Sequence, residues 1–250
     1  MARTWGSDIS WIHDTGFSSY SLNVAPGILA LLREHATGEP GLVVDLGCGS
    51  GILARQLGFA GHSVLGVDQS EPMLKLARRN APAARFVRAD LLDAAIPKCS
   101  AVLCVGEALS FAASVPDGAA RVEALLVRAR EALEPGGFVL FDYAQTGRLP
   151  GGMPRHGHWM GAEWAVMVQV EPPEADPNLL IRRLTSFRMT VDGTYKRSEE
   201  IHRLRIFDGT GMEQMATRAG LQAATIQGIG SLRFRSGHGG ILAWRAGRLS

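Results

Sequence analysis

Cysteine is scarce in this chain, and what there is falls in no metal-binding rhythm: Cys48, Cys99 and Cys104 share no CxxC spacing. That argues against a zinc site and fits a reduced, cytoplasmic protein. Long apolar runs are missing too. None reaches the roughly eighteen residues a membrane span requires, and the opening MARTWGSDIS has no apolar h-region, so a soluble protein with no membrane partner is expected. Neither sign of charge dominates, with 26 Lys and Arg against 24 Asp and Glu and no continuous basic stripe. Nucleic acid is therefore not the default partner. Oligomeric state leaves no mark. What is abundant is apolar residue, 46% of 250, enough to bury one large core or one domain with a lid.

The stretch Leu42 to Gly51, LVVDLGCGSG, reads as a buried parallel strand that ends in Asp45 and in Gly47, Gly49 and Gly51. A glycine-rich backbone can pass close under a bound nucleotide, and a helix starting at Ile52 aims its free N–H groups at the same place. Gly49, Gly51 and Ala54 fit GxGxxA, and Asp68 follows Gly49 by nineteen residues, so a dinucleotide fingerprint can be drawn. Against that, Asp45 would stand beside a pyrophosphate, and like charges at such range are costly in a partly dry site. A cationic ligand suits the carboxylate. S-adenosylmethionine carries a sulfonium and an ammonium and no phosphate. On Asp45, Gly47, Gly49 and Gly51 the chain resembles the class I S-adenosylmethionine-dependent methyltransferases, whose first motif is acidic-x-Gly-x-Gly-x-Gly; Cys48 lies inside the same loop.

Further matches extend the resemblance. Residues 62–68 read as a second strand, with Asp68 at its carboxyl end able to accept both ribose hydroxyl protons. Ser70 caps the next helix, and Gln69 and Met73 are expected along the adenosine. Residues 84–90 read as a third strand, and the resemblance places Asp90 at the adenine amino group and the N–H of Leu91 on a ring nitrogen. The apolar stretch 101–106 is the fourth strand, so Val105, Gly106 and Glu107 follow the switch point of an open sheet, where ligands bind. In similar enzymes this backbone meets the methionine end of the cofactor. Glu107 can hold the ammonium, orient a substrate amine, or be a solvated loop acid. A helix over 117–134 leads through LEPGGFVLFD to a fifth strand over 138–143, closely resembling the same turn and strand in class I methyltransferases. The fold class expected is α/β: a doubly wound, mostly parallel, seven-stranded Rossmann-like sheet.

Residues 1–24 hold Trp5, Trp11, His13, Phe17 and Tyr20 in no regular spacing. The resemblance makes this a segment that covers the cofactor, Tyr20 included; the alternative is that the aromatics cover apolar surface. A helix is expected to begin at Pro26, the core being 25–144 and 208–250. Between these, 145–207 is expected as a substrate lid: a loop over 145–162, then strands over 163–171, 179–191 and 195–207, the last two joined at Asp192-Gly193. Alternation does not choose the lid's inner face, and Trp164, Phe187 and His202 are possible pocket residues. Residues 236–240 join the two final strands, either far from the cofactor or in the substrate mouth.

Methyl transfer from a sulfonium is an in-line displacement in which alignment supplies much of the rate, effective molarities reaching about 10⁵ to 10⁸ M. No metal ligand is expected. A base helps only where the acceptor must shed a proton, and Glu107, Tyr143, His158 and His238 are the candidates. The function expected is methyl transfer from S-adenosylmethionine to N or O of a small-molecule acceptor, releasing S-adenosylhomocysteine. The alternatives are a nicotinamide-dependent oxidoreductase and a non-catalytic S-adenosylmethionine-binding module.

Overall fold

Strands buried on both faces need apolar side chains at consecutive positions. Three such stretches form the middle of the fold: β1 (Leu42–Leu46), β2 (Ser63–Asp68) and β4 (Cys99–Cys104), with the short β3 (Arg85–Arg88) outside β2. The computed structural model describes residues 5–35, 40–149, 152–172 and 176–245. β5 (Leu133–Ala144) lies beyond β4, and the Pro135-Gly136 turn is absorbed into it as an irregularity of register. β6 (Arg155–Gly161), β7 (Trp164–Glu171), β8 (Leu179–Met189) and β9 (Tyr195–Arg205) make a separate antiparallel sheet in that order. β10 (Leu221–Ile226), a small hairpin of β11 (Gly228–Ile229) and β12 (Leu232–Arg233), and β13 (His238–Arg245) complete the chain. The large sheet runs β10-β13-β5-β4-β1-β2-β3. Only β13 is antiparallel, to β5 and β10.

β1 pairs with β2 on one side and β4 on the other, so the order reverses between β1 and β4 and a crevice opens at their carboxyl ends. Helices cover both faces. α2 (Ser19–His35) and α3 (Ile52–Phe59) bury Val24, Ile28, Leu32, Leu53 and Leu57 against Val43, Phe138 and Leu140. On the other face, α6 (Gly118–Ala132) and α7 (Gly209–Arg218) pack Val122, Leu125, Met212 and Ala216 with Val139, Phe141 and Tyr143. The period of two along β5 thus sends Tyr143 to the α6–α7 side and Asp142 to the α2 side. α4 (Glu71–Asn80) begins at Ser70, whose Oγ accepts the N–H of Met73 at 3.3 Å. A five-residue α5 (Ala108–Ala112) follows Glu107.

Two segments differ from expectation. Residues 1–4 lie outside the described residues, and residues 5–24 are not irregular: α1 (Ser7–Gly16) is a helix, and α2 starts at Ser19, placing Pro26 in its interior. Tyr20, Val24, Ile28 and Leu32 recur every four residues, one continuous stripe, and Leu22, whose carbonyl Pro26 cannot serve, is exposed. The expected loop over 145–162 contains β6, an edge strand exposed nearly throughout, so no apolar alternation announces it. Between β7 and β8 the sequence Glu171 to Pro177, EPPEADP, predicts a turn, which falls partly on 173–175, outside the described residues. In the small sheet the buried face carries Leu180, Ser186, His202 and Leu204; Arg182, opposite His202, shares it.

α1 ties this sheet to the core. Glu200 accepts the N–H groups of Trp5 and Gly6 at 2.7 and 2.9 Å, and Asp8 pairs with Lys196 at 2.6 Å. On the core side, Ser70 Oγ donates to the Trp5 carbonyl at 2.8 Å, and Asn80 donates to Asp14 and to the Ser50 carbonyl, each at 2.9 Å. Among the described residues no helix is long and apolar enough to cross a membrane.

Candidate active site

Gly47, Gly49 and Gly51 all have positive φ (+74°, +53°, +75°), but each serves a different end. A Cβ on Gly47 would lie 2.4 Å from that of Ala108, and one on Gly51 2.9 Å from the Ala77 Cα. These two let α5 and α4 approach. A Cβ on Gly49 would meet nothing within 4 Å, and the same holds for Gly106 (φ +82°) across the crevice. Two glycine backbones thus face open space from β1 and β4. The loop is held by the Val67 carbonyl, which accepts from Gly47 and Cys48 at 2.7 and 3.0 Å. Asp68 accepts from the N–H of Gly49 at 3.0 Å and of Ser70 at 2.8 Å.

Asp45 stands beneath this loop, 2% exposed, with Oδ2 lacking any hydrogen-bond partner. Burial, and then the neighbouring Asp68, push its pKa up to about 7. Burial also raises Asp68, against the N–H groups that donate to it. An orphaned buried carboxylate oxygen is costly unless a donor arrives, and a positively charged one fits best. A pyrophosphate would make both acids worse. Gln69 is exposed and Met73 buried at the start of α4. Asp90 accepts from the N–H of Leu92 and pairs with Arg121, each at 2.9 Å, while Leu91 is buried. Val105 is half-buried; Cys48 is buried, its thiol raised well above the ordinary value by burial and then Asp45.

A second group of polar side chains gathers at the carboxyl end of β5. Asp142 is fully buried and accepts the N–H of Gly106 at 2.8 Å, the N–H of Glu107 at 2.5 Å, and the hydroxyl of Tyr20. His238, opposite Ala144 in the β13 register, places Nε2 at 3.6 Å from Asp142 Oδ2. Its ring stacks on Phe234 at 4.3 Å and lies 5.9 Å from that of Tyr20. Of the two positions expected for residues 236–240, theirs is the mouth. Glu107, at φ +61°, pairs with Arg148 at 2.8 Å and Arg182 at 2.6 Å. Burial drives the Glu107 pKa up, and Arg182 followed by Arg148 more than reverse it, leaving it below the ordinary value.

Comparison with known proteins points the same way. A family description, "Methyltransferase domain", matches residues 43–137, from β1 into β5. The dTDP-3-amino-3,6-dideoxy-alpha-D-glucopyranose N,N-dimethyltransferase of Streptomyces fradiae is 27% identical over 219 residues, 82% of this chain and 78% of its own. An S-adenosylmethionine-dependent methyltransferase from Clostridium acetobutylicum has the same fold, with a TM-score of 0.80 at 16% identity, over 96% of this chain and 98% of its own. CalS10 of Micromonospora echinaspora, an amino pentose methyltransferase solved with its cofactor, superposes with a TM-score of 0.70 at 18% identity over 98% and 99%. Residues 43–137 are a methyltransferase domain, and the chain has the fold of the S-adenosylmethionine-dependent methyltransferases. S-adenosylmethionine is the ligand bound in CalS10, and neither the nicotinamide alternative nor the non-catalytic one finds support.

In this methyltransferase the four expected base candidates separate. Glu107 is no solvated loop acid: two guanidinium groups hold it ionised and would repel the ammonium or amine it was expected to bind. Tyr143 is sealed in the core edge-on to Phe207, its hydroxyl unpartnered and its pKa raised by burial, so it cannot reach an acceptor. His158 is exposed on the edge strand β6, in the separate sheet and outside the cluster around Asp142. His238 lies in that cluster without a guanidinium partner, its Nε2 buried, directed at Asp142 and making no hydrogen bond. Trp164 packs with Ile9 and Ile12, and His202 bonds Glu200 at 2.8 Å, so both are packing residues beneath α1; Phe187 alternates onto the opposite face. Sequence reasoning missed Asp142, Arg148 and Arg182. For Asp142 a signal existed: it closes an apolar strand as Asp45 does.

Proposed function

We propose that this methyltransferase methylates an amine or hydroxyl of a small molecule, and that His238 takes the proton the acceptor loses. The observation that carries this is the placement of His238 at the crevice mouth beside buried Asp142. A carboxylate facing one ring nitrogen favours the tautomer with its proton there, stabilises the imidazolium that forms, and leaves the other nitrogen to face the acceptor. Asp142 is itself held by two backbone N–H groups and Tyr20, so the imidazole meets an oriented charge.

Bound S-adenosylmethionine supplies an electrophilic methyl group on a sulfonium. In our assignment Asp45 receives the cationic methionine end, Asp68 the ribose hydroxyls, and Asp90 with the Leu91 N–H the adenine, Gln69 and Met73 lying alongside. The backbone at Gly47, Cys48, Gly49 and Gly51 and at Val105 and Gly106 walls the crevice; α1 and Tyr20 cover it, and residues 145–207 close over the acceptor. The relative from Streptomyces fradiae is by name an N,N-dimethyltransferase of an amino sugar nucleotide, which supports nitrogen first. The cysteines are free and buried, in keeping with a reducing cytoplasm.

The test follows release of S-adenosylhomocysteine with a panel of amino sugars and matched hydroxy sugars. On the accepted substrate, His238→Ala should lower kcat by about 10² or more while donor affinity holds. A kcat within threefold of the parent would remove His238 from the mechanism.

A further inference from the structure

Glu107 is shared by two arginines, and one carboxylate cannot neutralise both. Arg148 and Arg182 each bring one Nη2 to it, and their side chains remain 26% and 20% exposed. Arg182 also lies over the Phe111 ring, 5.8 Å from its centroid. These residues come from three places: the end of β4, the loop after β5, and the buried face of β8. They meet where the small sheet overhangs the crevice mouth. Arg155 is near enough to act on Arg148 electrostatically, as is Asp142. Asp142 gives its oxygens to two N–H groups and the Tyr20 hydroxyl, so its charge acts on Arg148 without a direct ion pair, and Arg148, Arg155 and Arg182 still outnumber the carboxylates of Glu107 and Asp142. His238 in turn acts on Glu107, which puts the proton acceptor and the arginines around one space.

We infer that Arg148 and Arg182, aligned by Glu107, form a clamp for an anionic group of the acceptor, a phosphate or a carboxylate, that presents its amine or hydroxyl to His238. The inference rests on the methyl-transfer reading and adds the substrate class. A planar guanidinium matches both anions through paired N–H donors; Arg182 gives one of its five N–H donors to Glu107, and Arg148 meets the carboxylate as an ion pair without donating a hydrogen bond to it. Glu107 is the template: it spaces the two guanidinium groups before the anion arrives, and its left-handed backbone, with its N–H on Asp142, aims it at them. A neutral acceptor would leave two partly desolvated cations sharing one carboxylate.

The test is calorimetric, on full-length protein first titrated to saturation with S-adenosylhomocysteine and then with inorganic pyrophosphate, citrate or glucose. At least one anion should bind and glucose should not. Arg148→Gln and Arg182→Gln should each weaken the anion tenfold or more with S-adenosylhomocysteine affinity within threefold, and each leaves Glu107 one partner so that the fold survives. Arg183→Gln removes the same charge from the opposite face of β8, where Arg183 pairs with Glu171 at 2.8 Å, and should change nothing. Preference for pyrophosphate marks a phosphate-bearing acceptor, and preference for citrate a carboxylate-bearing one. S-adenosylhomocysteine binding without anion binding, or anion affinity equal in all three variants, overturns the clamp alone. No S-adenosylhomocysteine binding overturns the methyl-transfer reading and the clamp with it.

Discussion

Replacing Asp45 by Asn should make the cofactor-free protein more stable and the cofactor weaker, two effects of opposite sign from one atom. The folded pKa of Asp45 is about 7, against 3.8 for the ordinary group. Between those values the folded state holds a proton that the unfolded chain has lost, so stability falls as pH rises through this window and is flat above it. The gap corresponds to roughly 4 kcal/mol, the cost of ionising Asp45 in place. Asn does not ionise. Asp45→Asn should therefore match the parent near pH 4 and exceed it at pH 8, by about 10 °C in melting temperature at the usual conversion for a chain of this size. Cofactor binding runs the other way. A cationic ligand requires the ionised carboxylate, so below pH 7 parental affinity should drop about tenfold per pH unit, with proton release on binding. In the variant affinity should be weak and nearly independent of pH. Melting scans and calorimetry from pH 5.5 to 8.5 read both. A parent whose affinity is flat over that range, or a variant less stable at pH 8, refutes the assignment.

The remaining expectations concern the loop and the hub. Gly49→Ala puts a methyl group into open space and should cost only about 1 kcal/mol of backbone strain yet reduce S-adenosylmethionine affinity at least tenfold. Gly47→Ala, with its Cβ 2.4 Å from Ala108, should cost several kcal/mol, about 1–3 each from strain and overpacking; equal melting temperatures for the two variants would contradict this division. Asp68→Ala should weaken the cofactor tenfold or more, since a hydrogen bond to a charged group contributes about 1.5–3 kcal/mol, and unchanged affinity in calorimetry removes the ribose assignment. Tyr20→Phe takes one donor from Asp142 and should lower stability by about 1.5–3 kcal/mol in denaturant titration; an unchanged midpoint means the hydroxyl is not holding that carboxylate.

The middle of the sheet was legible because β1, β2 and β4 announce themselves: apolar stretches buried on both faces, closed by Asp45, Asp68 or glycine, allow little else. The glycine loop was legible for the same local reason. α1 was not, because its burial is contributed by Trp164 and Val166, more than 140 residues away, and it is held at its two ends by polar partners, Glu200 on Trp5 and Gly6 just before it and Asn80 on Asp14. β6 was hidden by exposure on both faces, which erases the alternation that marks a strand. Arg148 and Arg182 carried no signal at all: they become a pair only when the loop after β5 and the inner face of β8 arrive at Glu107.

Four buried or half-buried acids line one crevice, and what separates their roles is the number and kind of donors each already has. Asp45 has an oxygen with none, so it is left for a cation. Asp68 has two N–H groups, enough to fix its orientation while its remaining lone pairs stay available to hydroxyls. Asp142 has two N–H groups and a phenol and needs nothing more; it can serve only by orienting what touches it, Tyr20 and His238. Glu107 has two guanidinium groups and so is spent as a base, but by holding them together it turns a carboxylate into the organiser of a site for the opposite charge. A reading by residue type ranks these four alike. The donors around them, contributed by the β1 and β4 loops, α2 and the small sheet, divide the crevice into a cation-seeking half beneath Gly49 and an anion-seeking half above Glu107, with His238 facing the second.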